Sequence, residues 1–180
     1  MPDTRYTVLP SPIGPLLLAG TDERLACIGF PAGKGAVTPK PDWHRDDAAY
    51  PEARAQLGAY FAGRLTRFDL ALDPRGTPFQ SAVWAELARI PPGRTISYGE
   101  LARRIGRPGA GRAVGAANGA NPLPIVVPCH RVIGTSGALT GFAGGLDIKR
   151  FLLALEGCPS VMAQEEFSLL SKEATGPADR

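Results

Sequence analysis

Histidine and cysteine are both scarce in this 180-residue chain, with two of the first and three of the second. Three cysteines, an odd number and far apart, make no disulfide framework, so a reducing, cytoplasmic setting is expected. No run of about 18 apolar residues occurs, which leaves nothing to span a membrane as a helix. The N-terminus lacks the basic and apolar blocks of a signal peptide. Before Cys129 the only soft metal ligands are Cys27 and His44, fewer than a closed structural site needs, so no metal is expected. Glycine patterns of the dinucleotide or nucleoside-triphosphate kind are also missing, and no cofactor is expected.

What remains is an ordinary globular composition, 44% hydrophobic and 21% charged, long enough for one domain or two small ones. Net charge is only +3, but it is unevenly placed. Between residues 90 and 150, Arg94, Arg103, Arg104, Arg107, Arg112, Arg131, Lys149 and Arg150 face only Glu100 and Asp147. A polyanion is one partner for such a half, and plain solvation of charged faces is the other explanation.

One cysteine and one histidine are adjacent, in Asn121-Pro-Leu-Pro-Ile-Val-Val-Pro-Cys129-His130-Arg131-Val-Ile-Gly134. The apolar run 125–127 is too short for a helix and reads as a buried strand or extended segment, stopped by Pro128. A thiol at the end of a rigid approach, beside an imidazole, reads as an activated nucleophile: a nearby base or cation favours the thiolate. A buried thiol beside a satisfied core histidine is the bland alternative, and spacing does not choose between them.

The chain begins as strands at 6–9, 15–19 and 25–30, separated by turn-forming residues. Cys27 reads as a small core residue. Residues 31–50 read as a loop carrying an exposed His44. A helix is expected over 52–62 with Leu57, Tyr60 and Phe61 inward, then a half-buried strand over 68–73. The break at Pro74-Arg75-Gly76 divides a domain of residues 1–76 from one of 77–180.

Thr77-Pro78-Phe79-Gln80 has the residues of a capping box with proline in the first turn, ahead of a stripe of Val83, Trp84, Leu87 and Ile90. Ser97-Tyr98-Gly99-Glu100 reads as a second capping box, with Leu101, Ala102 and Ile105 inward. A short helix over 111–118 follows, with a surface of small residues. Helix, turn, helix in a basic context suits nucleic acid, and tight packing on a neighbouring helix suits it equally. Residues 134–145 are rich in glycine and hydroxyls, fit for a surface loop or for wrapping a planar ligand. Asp147 is placed to cap the last helix, with Ile148, Phe151, Leu152 and Leu155 inward. Glu156 closes that helix before Gly157, where a carboxylate opposes the helix dipole. It therefore wants a partner, such as His130, or solvent.

Pro128-Cys129-His130-Arg131, with Asn121-Pro before and Val132-Ile133-Gly134 after, resembles the active-site signature of the O6-alkylguanine-DNA alkyltransferases, and the likeness runs from about Thr77 to Gly157. It implies an α+β two-domain fold. The N-terminal part would be a small ribonuclease H-like α/β domain with an antiparallel sheet. The C-terminal part would be mainly helical and winged-helix-like, with a helix-turn-helix and a polar tail from about residue 158. It implies single-turnover transfer of an alkyl group from O6-alkylguanine in DNA to Cys129, by a monomer that flips the damaged nucleotide and binds through the minor groove.

The resemblance also assigns roles. His130 would take the thiol proton through a water, Glu156 would orient the imidazole, and Asn121 would brace the turn. Tyr98 would offer its hydroxyl to a purine nitrogen. Arg112 would fill the space left in the stack, on a helix presenting Ala113, Gly115 and Ala116 to DNA. Asn118, Val132, Phe142, Ala143 and Gly144 would line the base pocket, and Arg131 would tie the thiol segment to the first domain. Many relatives carry a tyrosine where Phe142 stands. The rivals are a non-catalytic lesion-binding protein, a helix-turn-helix regulator and a Cys-His hydrolase, and the presence of Cys129 speaks against the first.

Overall fold

The computed structural model of the chain describes residues 4–30 and 32–159. The expected polar tail lies almost wholly outside them. Strands β1 (Arg5–Leu9), β2 (Leu16–Thr21) and β3 (Arg24–Gly29) form an antiparallel meander. Asp22 and Glu23 both take left-handed backbone angles, the hand a two-residue hairpin turn needs to match strand twist. A short β4 (His44–Arg45) then pairs parallel to β1, giving the order β3-β2-β1-β4. This small strand lies inside the stretch expected to be all loop. Its exposed residues carry no apolar pattern that could have announced it.

Helix α1 (Pro51–Phe61) adds Leu57 and Tyr60 to the core that Leu16, Leu18 and Ile28 build from the sheet. The expected strand over 68–73 is not regular. Leu72 makes a single bridge to Leu25, while the Gln56 side chain takes both main-chain groups of Asp69 at 2.7 and 2.8 Å. A side chain has taken the place of a neighbouring strand. Cys27 is half-buried rather than in the core, at the β3 edge of the sheet.

The second half is helical. Thr77 caps α2 (Pro78–Leu87) in a full capping box, and Val83, Trp84 and Leu87 are buried as the stripe requires. Trp84 Nε1 donates at 2.9 Å to the carbonyl of Ala117, which fixes α2 to α4 (Gly111–Gly119). Strand β5 (Ile96–Ser97) leads into α3 (Tyr98–Arg104). Ser97 accepts from the Glu100 amide, but the box is only half made. The Glu100 carboxylate turns instead to Arg103 and Arg104, where two guanidinium groups outbid one backbone amide.

After the thiol segment, β6 (Val132–Ile133) runs parallel to β5. Helix α5 (Leu146–Leu155) is not capped by Asp147: Gly145 holds the cap position at a φ of 92°, and Asp147 lies in the first turn paired with Arg150. Its buried face is Lys149, Leu152 and Leu153, whereas Phe151 is 37% exposed. Gly157, at a φ of 69°, ends the helix as expected. One continuous apolar core joins the two halves. No helix among the described residues is long and apolar enough to cross a membrane.

Candidate functional site

The segment that delivers Cys129 is a tight turn rather than a strand. Ile125 is buried and has a φ of 77°, a costly conformation for a β-branched residue. The surroundings hold it there. The Val127 amide donates back to Leu123, the Asn121 Nδ2 donates to the Val127 carbonyl at 2.7 Å, and the Asn121 Oδ1 accepts from Leu123. Pro128 sits in an inverse γ-turn, closed by the Cys129 amide on the Val127 carbonyl at 2.8 Å. Cys129, His130 and Arg131 then form one 3₁₀ turn, all three buried.

Around His130 the charges interlock. Its Nε2 lies 2.9 Å from Glu156 Oε1. Arg131 forks onto the same carboxylate, Nε to Oε2 and Nη2 to Oε1, both at 2.8 Å, and also donates to the Ile90 carbonyl. The Tyr60 hydroxyl donates to Glu156 Oε1 at 2.9 Å from α1. Burial would raise the Glu156 pKa, but the hydrogen bonds from His130 and Arg131 outweigh it and bring it to about 2. An ionised Glu156 accepts only, so His130 Nε2 must donate. That leaves Nδ1 as an acceptor, and it is buried with no hydrogen-bond partner among the described residues. Burial also holds the imidazole pKa below its ordinary value, against the pull of Glu156, so the ring is a neutral base at pH 7.

The thiol is not a standing thiolate. Burial pushes Cys129 up to about 11, and the Asn121 amide and the Lys149 charge offset this only in part. The resting site therefore holds a protonated thiol beside a neutral base, and the nucleophile forms when the proton leaves.

Lys149 is the residue that sequence reasoning missed. Counted in sequence only as one of the basic residues of the second half, it is fully buried, and its Nζ donates to the carbonyls of Val132 and Thr140 at 2.6 and 2.8 Å. It ties the glycine-rich loop to the thiol segment, and burial lowers its pKa to about 8. The surface charge is correspondingly thinner than the count suggested. Arg131 and Lys149 point inward, and Arg103, Arg104 and Arg150 are paired with acids. Arg94, Arg107 and Arg112 remain exposed without an ion pair among the described residues.

A cavity of about 490 Å³ opens over the thiol, lined by Tyr98, Gly115, Asn118, Asn121, Cys129, Phe142, Ala143 and their neighbours. Tyr98 donates its hydroxyl to the Thr140 carbonyl at 3.3 Å. Asn118 is buried, reaches the Cys129 carbonyl at 3.4 Å, and keeps its Oδ1 without a partner among the described residues. Gly144 is partly exposed and packs on Phe30. Val132 is fully buried, with its carbonyl taken by Lys149 rather than turned to the cavity. Arg112, Ala113 and Ala116 are exposed together on α4, with Gly115 between them and the cavity.

Such a site belongs to proteins that use a cysteine nucleophile next to a helix-turn-helix. Comparison with known proteins narrows the class. Residues 4–74 match the 6-O-methylguanine DNA methyltransferase, ribonuclease-like domain, and residues 78–158 match its DNA binding domain. A methylated-DNA–protein-cysteine methyltransferase of Methanosarcina acetivorans is 54% identical over 152 residues, 84% of this chain and 97% of that one. One from Mycobacterium tuberculosis is 54% identical over 151 residues, 84% of this chain and 91% of that one. A crystal structure of the M. tuberculosis OGT in complex with DNA matches with a TM-score of 0.81 at 52% identity, covering 88% and 97% of the two chains. The chain belongs to the 6-O-methylguanine DNA methyltransferase family. The expected fold class, a ribonuclease-like domain with an antiparallel sheet followed by a helical DNA-binding domain, stands with it.

Proposed function

We propose that this protein repairs DNA by drawing the alkyl group of O6-alkylguanine onto Cys129 in one irreversible step. The observation that carries the reading is the pairing of a buried, protonated thiol with an imidazole whose Nδ1 has no hydrogen-bond partner among the described residues and whose Nε2 is fixed by Glu156. His130 Nδ1 takes the thiol proton through a water. Cys129 Sγ attacks the alkyl carbon in line, the S–C bond forms, and the C–O6 bond breaks with its electron pair leaving on the purine. The Tyr98 hydroxyl neutralises charge developing on a ring nitrogen, moving from the Thr140 carbonyl to do so. The product thioether offers no leaving group, so the protein reacts once.

The lesion reaches the cavity by leaving the duplex, at a cost of a few kcal/mol. Helix α4 lies in the minor groove, its small exposed face permitting close approach while Arg112 fills the vacated stack. Asn118 Oδ1 is an acceptor for a purine N–H, and the Ala143 main chain meets the base edge. Phe142 makes that wall apolar. The protein acts as a monomer in the cytoplasm, with its domains dividing between Gly76 and Thr77.

Intact-protein mass after incubation with methylated duplex tests this: one added methyl, mapped to Cys129, is expected. An unchanged mass, or an adduct on Cys27 or Cys158, would sink the reading. Arg112→Ala should slow repair of duplex about tenfold more than reaction with the free base, if loss of one inserted side chain costs about 1.4 kcal/mol of extrusion. Equal slowing on both substrates would remove Arg112 from that role.

A further inference from the structure

The cavity over the thiol is not built by the helical half alone. After β3 the chain turns at Gly33, whose φ is 81°, and the Gly35 amide donates at 2.8 Å to the carbonyl of Ala143. Neither position has room for a side chain. A Cβ on Gly33 would stand 2.9 Å from that same carbonyl, and one on Gly35 would stand 2.8 Å from the Ala143 methyl. The same wall also packs on Phe30. A Cβ on Gly144 would lie 3.0 Å from the Phe30 ring, and Phe142 meets that ring edge-on at 5.4 Å between centroids. The first domain thus packs an aromatic ring and a pair of glycines against residues 142–144.

Between those glycines is Lys34. It is exposed and, among the described residues, has no ion pair and is the one charged side chain lining the cavity. No packing or pairing in the described structure explains it. A purine swung into this cavity necessarily leaves its own phosphates at the mouth, where an ammonium is a point-charge partner for them.

We propose that Gly33-Lys34-Gly35 is a specificity element of the cavity, its glycines setting how far the Ala143 wall stands from the thiol and Lys34 binding the backbone phosphate of the extruded nucleotide. This rests on the alkyl-transfer reading above. It gives the first domain a part in choosing the substrate: the lysine favours a nucleotide in a strand over a loose base, and the glycine clamp limits the bulk of the alkyl group.

Lys34→Glu and Lys34→Ala are compared with wild type on methylated duplex and on free O6-benzylguanine, with the adduct at Cys129 read by intact mass. In Lys34→Glu the ratio of rate constants, duplex over free base, should fall about tenfold. In Lys34→Ala the salt dependence of duplex binding should become shallower by about one phosphate contact. Gly35→Ala, which displaces the wall, should change the benzyl-to-methyl rate ratio on duplex at least about threefold. An unchanged ratio and salt slope in the lysine variants would overturn the phosphate contact, and an unchanged benzyl-to-methyl ratio would overturn the clamp. A wild-type protein that takes up no alkyl group from either substrate would instead overturn the transfer reading itself.

Discussion

Replacing Cys129 with serine is expected to abolish alkyl uptake outright while duplex affinity stays within about twofold of wild type. A hydroxyl is close in size to a thiol, so the 3% exposed site should accept it without repacking. As a nucleophile at neutral pH it is far weaker, since its proton is much harder to remove. Affinity should persist because the exposed Arg112 face of α4 is on another element. Intact mass reads the first quantity and fluorescence anisotropy with a labelled duplex reads the second. Methyl uptake by the Cys129→Ser variant at a rate near wild type would mean that thiol chemistry is not what the site supplies.

Replacing Glu156 with glutamine should damage both rate and stability. The amide no longer compels His130 Nε2 to carry the proton, so the Nδ1 acceptor is lost in part of the population and the rate should drop roughly 10²- to 10⁴-fold. The same change leaves the Arg131 guanidinium, 6% exposed, without its counter-charge, which for a broken buried pair costs about 3–5 kcal/mol. The acid response gives an independent check. Glu156 has a folded pKa of about 2 against an ordinary 4.5, so the stability it contributes is fully present above about pH 4.5 and is lost as pH falls towards 2. A gap of that size corresponds to about 3 kcal/mol, in line with the first figure. Denaturant melts at pH 7 and pH 3 should therefore show the difference between wild type and Glu156→Gln narrowing with acid. A constant difference would show that the carboxylate is not the stabilising charge.

Local signals in the sequence were readable because their physics is local. Thr77-Pro-Phe-Gln80 spells a complete cap within four residues, and Val83, Trp84 and Leu87 keep helical spacing, so both emerge as expected. Glu156 was half readable: a carboxylate at the wrong end of a helix advertises a missing partner, but Tyr60, 96 residues away in sequence, has no signal in the pattern. Lys149 was unreadable for the opposite reason. Ile148 and Phe151 are the more apolar choices for the inner face of α5, yet two orphan carbonyls across the fold make the buried position worth more to an ammonium. The turn at Ile125 also escaped, since three apolar residues in a row give no warning of a left-handed backbone. Its conformation follows from the Asn121 side chain and the Leu123 carbonyl, contacts that exist only once the turn has formed.

The apolar core that passes without a break from the sheet through α2 to the thiol segment has a mechanical corollary. On the alkyl-transfer reading, the thiol and the cavity-lining Tyr98, Phe142 and Ala143 all rest on that one core. On that reading the cost of recognition falls mainly on the duplex, which must unstack the damaged base. A lesion that already pairs badly yields most readily to such a partner, so discrimination begins in the mechanics of the damaged helix before the sulfur meets any carbon.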